Sequence, residues 1–258
     1  GIGRLDDWYA ADCPVHSPHG IENTLADVYN HTLSTMHLFP NRDILAEDII
    51  IGDKPSGFLS SHRIISTATH HGGAFGLATG RKCRFRTIAD TFCRENRVWD
   101  EWLIRDNAAI ALQLGQTPQD AARASIQASD TKMPLTPDTD ITGPYTGHGN
   151  ANEWGEKHAD ILHRIMNADF GVIAGEYDRA CQLSLPCGVE EYSHDAATEF
   201  WLGLRSAFPS AVFKIDHQIG RDDPLLSPRS AIRWSLTGKH DGWGRFGAPT
   251  GVQVHVMG

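Results

Sequence analysis

Four side chains in the first half of the chain could move a proton: His70 and His71 at the head of a glycine-rich run, Asp90 on an alternating stretch, and Asp106 after Trp102. Taking a proton from carbon next to a carbonyl needs a base, and the growing oxyanion needs a donor. A carboxyl group can do either once apolar surroundings raise its pKa toward neutrality, and histidine titrates in the same range. Period two places Ile88, Asp90 and Phe92 on one strand face. An acid between two apolar neighbours implies a pocket on that face, or else a salt bridge to Arg84 or Arg86, which share it. Asp106 shares a face with Val98, Asp100, Trp102 and Ile104, and could equally cap the helical "NAAIALQ" that follows. The two histidines could equally be loop residues in solvent.

The second half offers "WSLTGKHDGWGRFGAPTG", Trp234–Gly251, with His240, Trp243 and Arg245 set among glycines. Upstream, "IDHQIGRDD" carries Asp216, His217, Arg221 and Asp222, which read either as site residues or as charges at a hairpin end. Phe75, Phe92, Trp102, His240, Trp243 and Arg221 are the candidates to contact a ligand, with the phenylalanines equally at home in a core.

Helices and strands must hold these groups. "IENTLADVYNHTLSTMHLF" predicts a helix with Leu25, Val28, Tyr29, Leu33 and Met36 on its apolar face, and "EWGEKHADILHRIMNADF" predicts another. "AATEFWLGLRSAF" predicts a third, capped by Asp195, ended by Pro209, and facing the core through Phe200, Trp201, Leu204 and Phe208. Arg63–Asp90 can be laid on Ala231–Gly258, so that Phe75, Gly76, Thr79 and Gly80 fall on Phe246, Gly247, Thr250 and Gly251. One copy per half suggests a duplication. The expected division is one domain over 20–116, a Thr/Asp/Pro/Gly-rich linker over 117–152 that opens with a short helical piece, and a second domain over 153–258.

The segments "GKHDGWGRFGAPTG" and "FPSAVFKIDHQIGRDD", with "ADTFCRENRVWDEWLIRDNAAIALQLG" in the first half, resemble the SnoaL-like polyketide cyclase family of the nuclear transport factor 2-like superfamily. The resemblance implies an α+β fold of two tandem cystatin-like cones, each a curved antiparallel sheet wrapped around helices, paired as a pseudo-dimer. It also implies cofactor-independent acid/base chemistry, an aldol cyclisation or isomerisation, on a small apolar carbonyl compound in a conical pocket. Asp90 would be the acid/base, with His70 or His71 and Asp106 assisting. The second copy stops before the position that matches Asp90, so it reads as degenerate or cut short. The alternative is a non-catalytic binding or dimerisation module of the same fold.

Composition narrows the classes. With 258 residues, 40% hydrophobic and 21% charged, the chain can bury one core or two. A net charge of -9 speaks against nucleic acid as a partner. No apolar run approaches the roughly 20 residues of a membrane span. Nothing at the start of the sequence reads as a secretory signal, and five scattered cysteines suggest reduced thiols in the cytoplasm. The histidines form no H-E-x-x-H or H-x-H motif, no G-x-S-x-G is present, and no metal or organic cofactor is expected. The expected partner is a small-molecule ligand, with further homo-oligomerisation left open.

Overall fold

The computed structural model describes residues 2–54, 56–128 and 135–258. The chain divides into two compact units, Gly1–Thr146 with Pro186–Gly188, and Gly147–Leu185 with Val189–Gly258.

The first unit opens with a 3-10 turn at Ile2–Asp7 and two short strands, β1 (Val15–Ser17) and β2 (Gly20–Glu22). Helix α1 (Leu25–Leu38) begins with a capping box: the Thr24 hydroxyl accepts the Asp27 N–H, and the Asp27 carboxylate accepts the Thr24 N–H. Strands β3 (Asp43–Lys54), β4 (Gly57–Thr69), β5 (Lys82–Arg94) and β6 (Arg97–Arg105) follow, then α2 (Asn107–Leu114) and α3 (Pro118–Ala128). The helical piece expected at the head of the linker is α3; residues 129–134 lie outside the described residues.

The six strands order as β2-β1-β6-β5-β4-β3, antiparallel except for the β1–β6 pair. Bulges at Ala46/Asp48 and Phe92/Cys93 break the register, which bends a sheet. Along β5, Cys83, Phe85, Thr87 and Ala89 are buried while Lys82, Arg84 and Ile88 are exposed. That alternation assigns one face to the helices. Phe85 and Cys83 meet Leu38 and Phe39 from the end of α1 and Ala109, Ile110 and Leu114 from α2.

The second unit carries α4 (Glu153–Met166), α5 (Gly171–Glu176), a hairpin of β7 (Gln182–Leu185) and β8 (Val189–Tyr192), and α6 (His194–Ala207). It closes with β9 (Val212–Arg221), β10 (Arg229–Lys239) and β11 (Gln253–Met257), ordered β11-β10-β9 and antiparallel. Its core gathers Ile165, Met166, Val172, Ile173, Leu204, Phe208 and Leu236, with Trp201, Phe213 and Trp234 at its edge. The cap of α6 is Ser193, not Asp195; Ser193 accepts the Ala196 N–H, and Asp195 sits in the first turn. A carboxylate there still suits the positive end of the helix.

The protein is therefore α+β, helices against a curved, mostly antiparallel sheet in the first unit and against a three-stranded antiparallel sheet in the second. No helix among the described residues is long and apolar enough to cross a membrane.

The glycine-rich loop is built the same way in both units. In the first, His70 exchanges backbone bonds with Arg81 and Gly80, its Nδ1 lies 3.0 Å from the Thr79 hydroxyl, and its ring packs on Phe39. In the second, His240 exchanges them with Val252 and Gly251, its Nδ1 lies 3.2 Å from the Thr250 hydroxyl, and its ring packs on Phe208. The next turn of each loop donates to the end of a helix: His71 N–H to Leu38, Gly242 N–H to Ala207.

Candidate functional site

A cavity of about 860 Å³ opens in the first unit beneath α1. Its apolar wall comes from Leu33 and Leu38 of α1, Ala74 and Phe75 of the glycine-rich loop, and Ala121 and Ala122 of α3. The volume lies in the range of small-molecule sites, where apolar walls surround a few convergent polar groups.

Those polar groups have a clear structural origin. On α1, Val28, His31, Thr35 and Leu38 fall at helical spacing and form one stripe. Across the sheet, Val15 pairs with Glu22 on one side and with Glu101 on the other, so both carboxyls share a face with it. Arg105 lies four residues beyond Glu101 and opposite buried Thr87, which puts it on the same helix-side face.

Glu22, almost fully buried, lies 3.4 Å from His31 Nδ1; His31 Nε2 is buried and has no hydrogen-bond partner among the described residues. Burial pushes the Glu101 carboxyl above its ordinary range, against the hydrogen bond it accepts from the Tyr9 hydroxyl at 2.8 Å. Burial, followed by the neighbouring Glu101, raises the Tyr9 phenol as well. Arg105 donates from Nη2 to the Thr35 hydroxyl at 3.4 Å, and burial and the nearby Arg42 lower its guanidinium to about 10. Asn107 Nδ2 sits 2.9 Å from His19 Nε2 at the rim. A buried carboxylate paired with an imidazole, on a wall that also holds a cation, can exchange protons with a bound molecule and hold its polar end.

The residues singled out in the sequence are placed elsewhere, with one exception. Phe75 lines the cavity. Asp90 is buried but does not line it: it pairs with Trp102 and Ser61 on the sheet face turned away from Phe85. Beside it Phe92 stacks on Tyr145 at 5.1 Å and Trp102 on His16 at 4.9 Å, so the expected pocket face is covered by packed side chains. Asp106 caps α2, accepting the Ala109 N–H at 2.9 Å together with those of Cys187 and Gly188. His70 and His240 are buried loop pins and not solvated loop residues, and burial holds the His70 imidazole below its ordinary pKa. His71 is exposed, as is Trp243 at 71%. Arg221 is bound to Asp223 at 2.6 Å, which also takes Arg229, so the charges at this hairpin end pair with one another. Asp216 pairs with Lys214, and His217 is buried.

Sequence reasoning missed Glu22, His31, Thr35 and Arg105. The available signal was the mixed stripe at 28, 31, 35 and 38; the expected face through Leu33 and Met36 is instead about half exposed. The stripe escaped notice because a core face is looked for as a run of apolar residues, and this one is half polar.

No family model matches the chain, and no curated protein does. Solved structures do. AclR of Streptomyces galilaeus, described as a hydroxylase, is 19% identical over 43% of this chain and 81% of its own, with a TM-score of 0.38. IdmH of Streptomyces antibioticus, described as a polyketide cyclase, is 22% identical over 44% and 86%, with a TM-score of 0.39. A SnoaL-like polyketide cyclase of Agrobacterium tumefaciens is 16% identical over 44% and 85%, with a TM-score of 0.36. Each of these likenesses covers less than half of this chain.

Proposed function

We propose that the first unit binds a small, largely apolar carbonyl compound in the cavity beneath α1 and carries out cofactor-independent acid/base chemistry on it, of the aldol cyclisation or isomerisation type. The observation that carries this reading is buried Glu22 paired with His31 on the wall of a cavity whose other lining includes Leu33, Leu38, Phe75 and Ala122. Glu22 takes the proton alpha to the carbonyl. His31 holds that carboxylate in place, and the Thr35 hydroxyl and Asn107 amide on the same wall supply donors to the developing oxyanion. Residues 20–116 and 153–258 are read as two copies of one domain, joined by 117–152 and paired as a pseudo-dimer; the matched histidine–threonine loops support the duplication. Five free thiols support a reducing, cytoplasmic setting.

The test is exchange of the methyl protons of 2-acetylnaphthalene in D2O, followed by NMR. The expected result is catalysed exchange in the native protein and a loss of about 100-fold or more in Glu22→Gln with binding retained. Binding without exchange in the native protein leaves a non-catalytic binding module. Asp90→Asn decides between the two sheet faces: loss there, and not in Glu22→Gln, returns the chemistry to Asp90.

A further inference from the structure

Arg105 is an unusual group to find on that cavity wall. Among the described residues its Nε is buried without a hydrogen-bond partner, and the hydrogen bond its side chain makes to the Thr35 hydroxyl, at 3.4 Å, is longer than a well-formed N–H···O bond. Three other partly covered arginines of the protein are matched to carboxylates: Arg86 to Glu47 at 2.7 and 2.9 Å, Arg221 and Arg229 to Asp223 at 2.6 Å. Arg105 has no carboxylate within ion-pair distance among the described residues. Its cationic neighbour Arg42, also without one, donates to the Ser66 hydroxyl and lies over the Phe85 ring. Two guanidiniums therefore sit near one another without a carboxylate partner among the described residues, and one of them, Arg105, lines the cavity. Removing a charge from water without a partner is costly, and such a charge persists where something else supplies the opposite sign. The carboxylate that lines the cavity, Glu22, is already engaged by His31.

We infer that the cavity takes an apolar molecule bearing a carboxylate, and that the carboxylate docks on Arg105 with the hydrocarbon body against Leu33, Leu38, Phe75 and Ala122. The guanidinium fork suits two carboxylate oxygens, and the nearby Arg42, which does not line the cavity, adds attraction. Burial lowers the Arg105 guanidinium only to about 10, so the anchor is charged at neutral pH. The inference deepens the cavity reading and shares its site, yet it concerns binding alone and stands whether or not chemistry follows.

The test compares 2-naphthoate with its uncharged methyl ester, each titrated against the native protein and Arg105→Gln by calorimetry. The expected result is that the native protein binds the acid at least about tenfold more tightly than the ester. Arg105→Gln should abolish that preference while leaving ester affinity within about twofold. Arg105→Lys, which retains charge without the fork, should keep part of it and serves if Arg105→Gln does not fold. Equal affinity for acid and ester in the native protein overturns the inference, as does a preference that survives in Arg105→Gln, and so does a failure of both compounds to bind. An absence of proton exchange with 2-acetylnaphthalene, alongside an intact acid preference, removes the catalytic reading and leaves this one standing.

Discussion

His16 is held between two carboxylates, with Asp140 Oδ1 2.7 Å from Nδ1 and Asp100 Oδ1 3.0 Å from Nε2, and it is 1% exposed. Burial alone would lower its pKa, but Asp100 and Asp140 together outweigh that and hold it above the ordinary value. Asp100 also accepts the Tyr145 N–H, so His16 and its two carboxylates fasten the 140–145 segment across the sheet face that carries Asp90 and Trp102. A folded-state pKa raised above the unfolded value of about 6.5 means that the stabilisation is complete below that pH and lost as pH rises through the folded value. The thermal midpoint of the first unit is therefore expected to fall as pH is raised above about 6.5, and His16→Gln to flatten that slope, both read by circular dichroism from pH 5 to 9. A native midpoint that is flat across this window contradicts the assignment. The same cluster explains what the sequence concealed about Asp90. Period two groups Asp90 with Ile88 and Phe92, and cross-strand pairing adds Trp102, but parity does not say which face of a sheet is covered. The cover here comes from Asp140 and Tyr145, some fifty residues along the chain, and no local pattern announces it.

Elements were more legible than sites, because each answers to short-range chemistry. The three helices expected from apolar periodicity are α1, α4 and α6, and the strands before and after each glycine-rich loop are where alternation places them. What periodicity leaves out is how a loop meets a helix. Gly242 illustrates the point: a Cβ there would collide with the Ser206 carbonyl and press on Pro209, because its N–H reaches in to Ala207 at the end of α6. Glycine is thus required at this position for close approach between backbones and not for turning freedom. Gly242→Ala is expected to destabilise the second unit by about 1–3 kcal/mol through overpacking against a carbonyl that has nowhere to move. Urea unfolding followed by tryptophan fluorescence measures it, since Trp201 and Trp234 report on the core beside that helix. A change below about 0.5 kcal/mol, the range of an ordinary surface substitution, shows that the loop is free to lift away.

Across the whole molecule, the repeat visible as Phe-Gly and Thr-Gly at fixed spacing corresponds to a shared set of hydrogen bonds, and the two units hold separate buried clusters. One is built on Phe39, Phe85 and Ile110, the other on Ile165, Leu204 and Leu236. The division matters for the candidate site: His240 and Trp243 belong to the glycine-rich loop of the second unit, while the cavity is lined by the first helix of the first unit. Separate cores also bear on stability, because a chain with two cores need not unfold in one step. Phe85→Ala and Leu236→Ala each empty a buried position in one cluster and are each expected to cost about 3 kcal/mol or more. Calorimetry should resolve two transitions, with Phe85→Ala lowering one and Leu236→Ala the other. With no shared partners, the double variant should show the sum of the two losses to within about 0.5 kcal/mol. A single transition lowered by either substitution would mean that the two clusters unfold as one cooperative body, and their stabilities could then no longer be assigned to separate units.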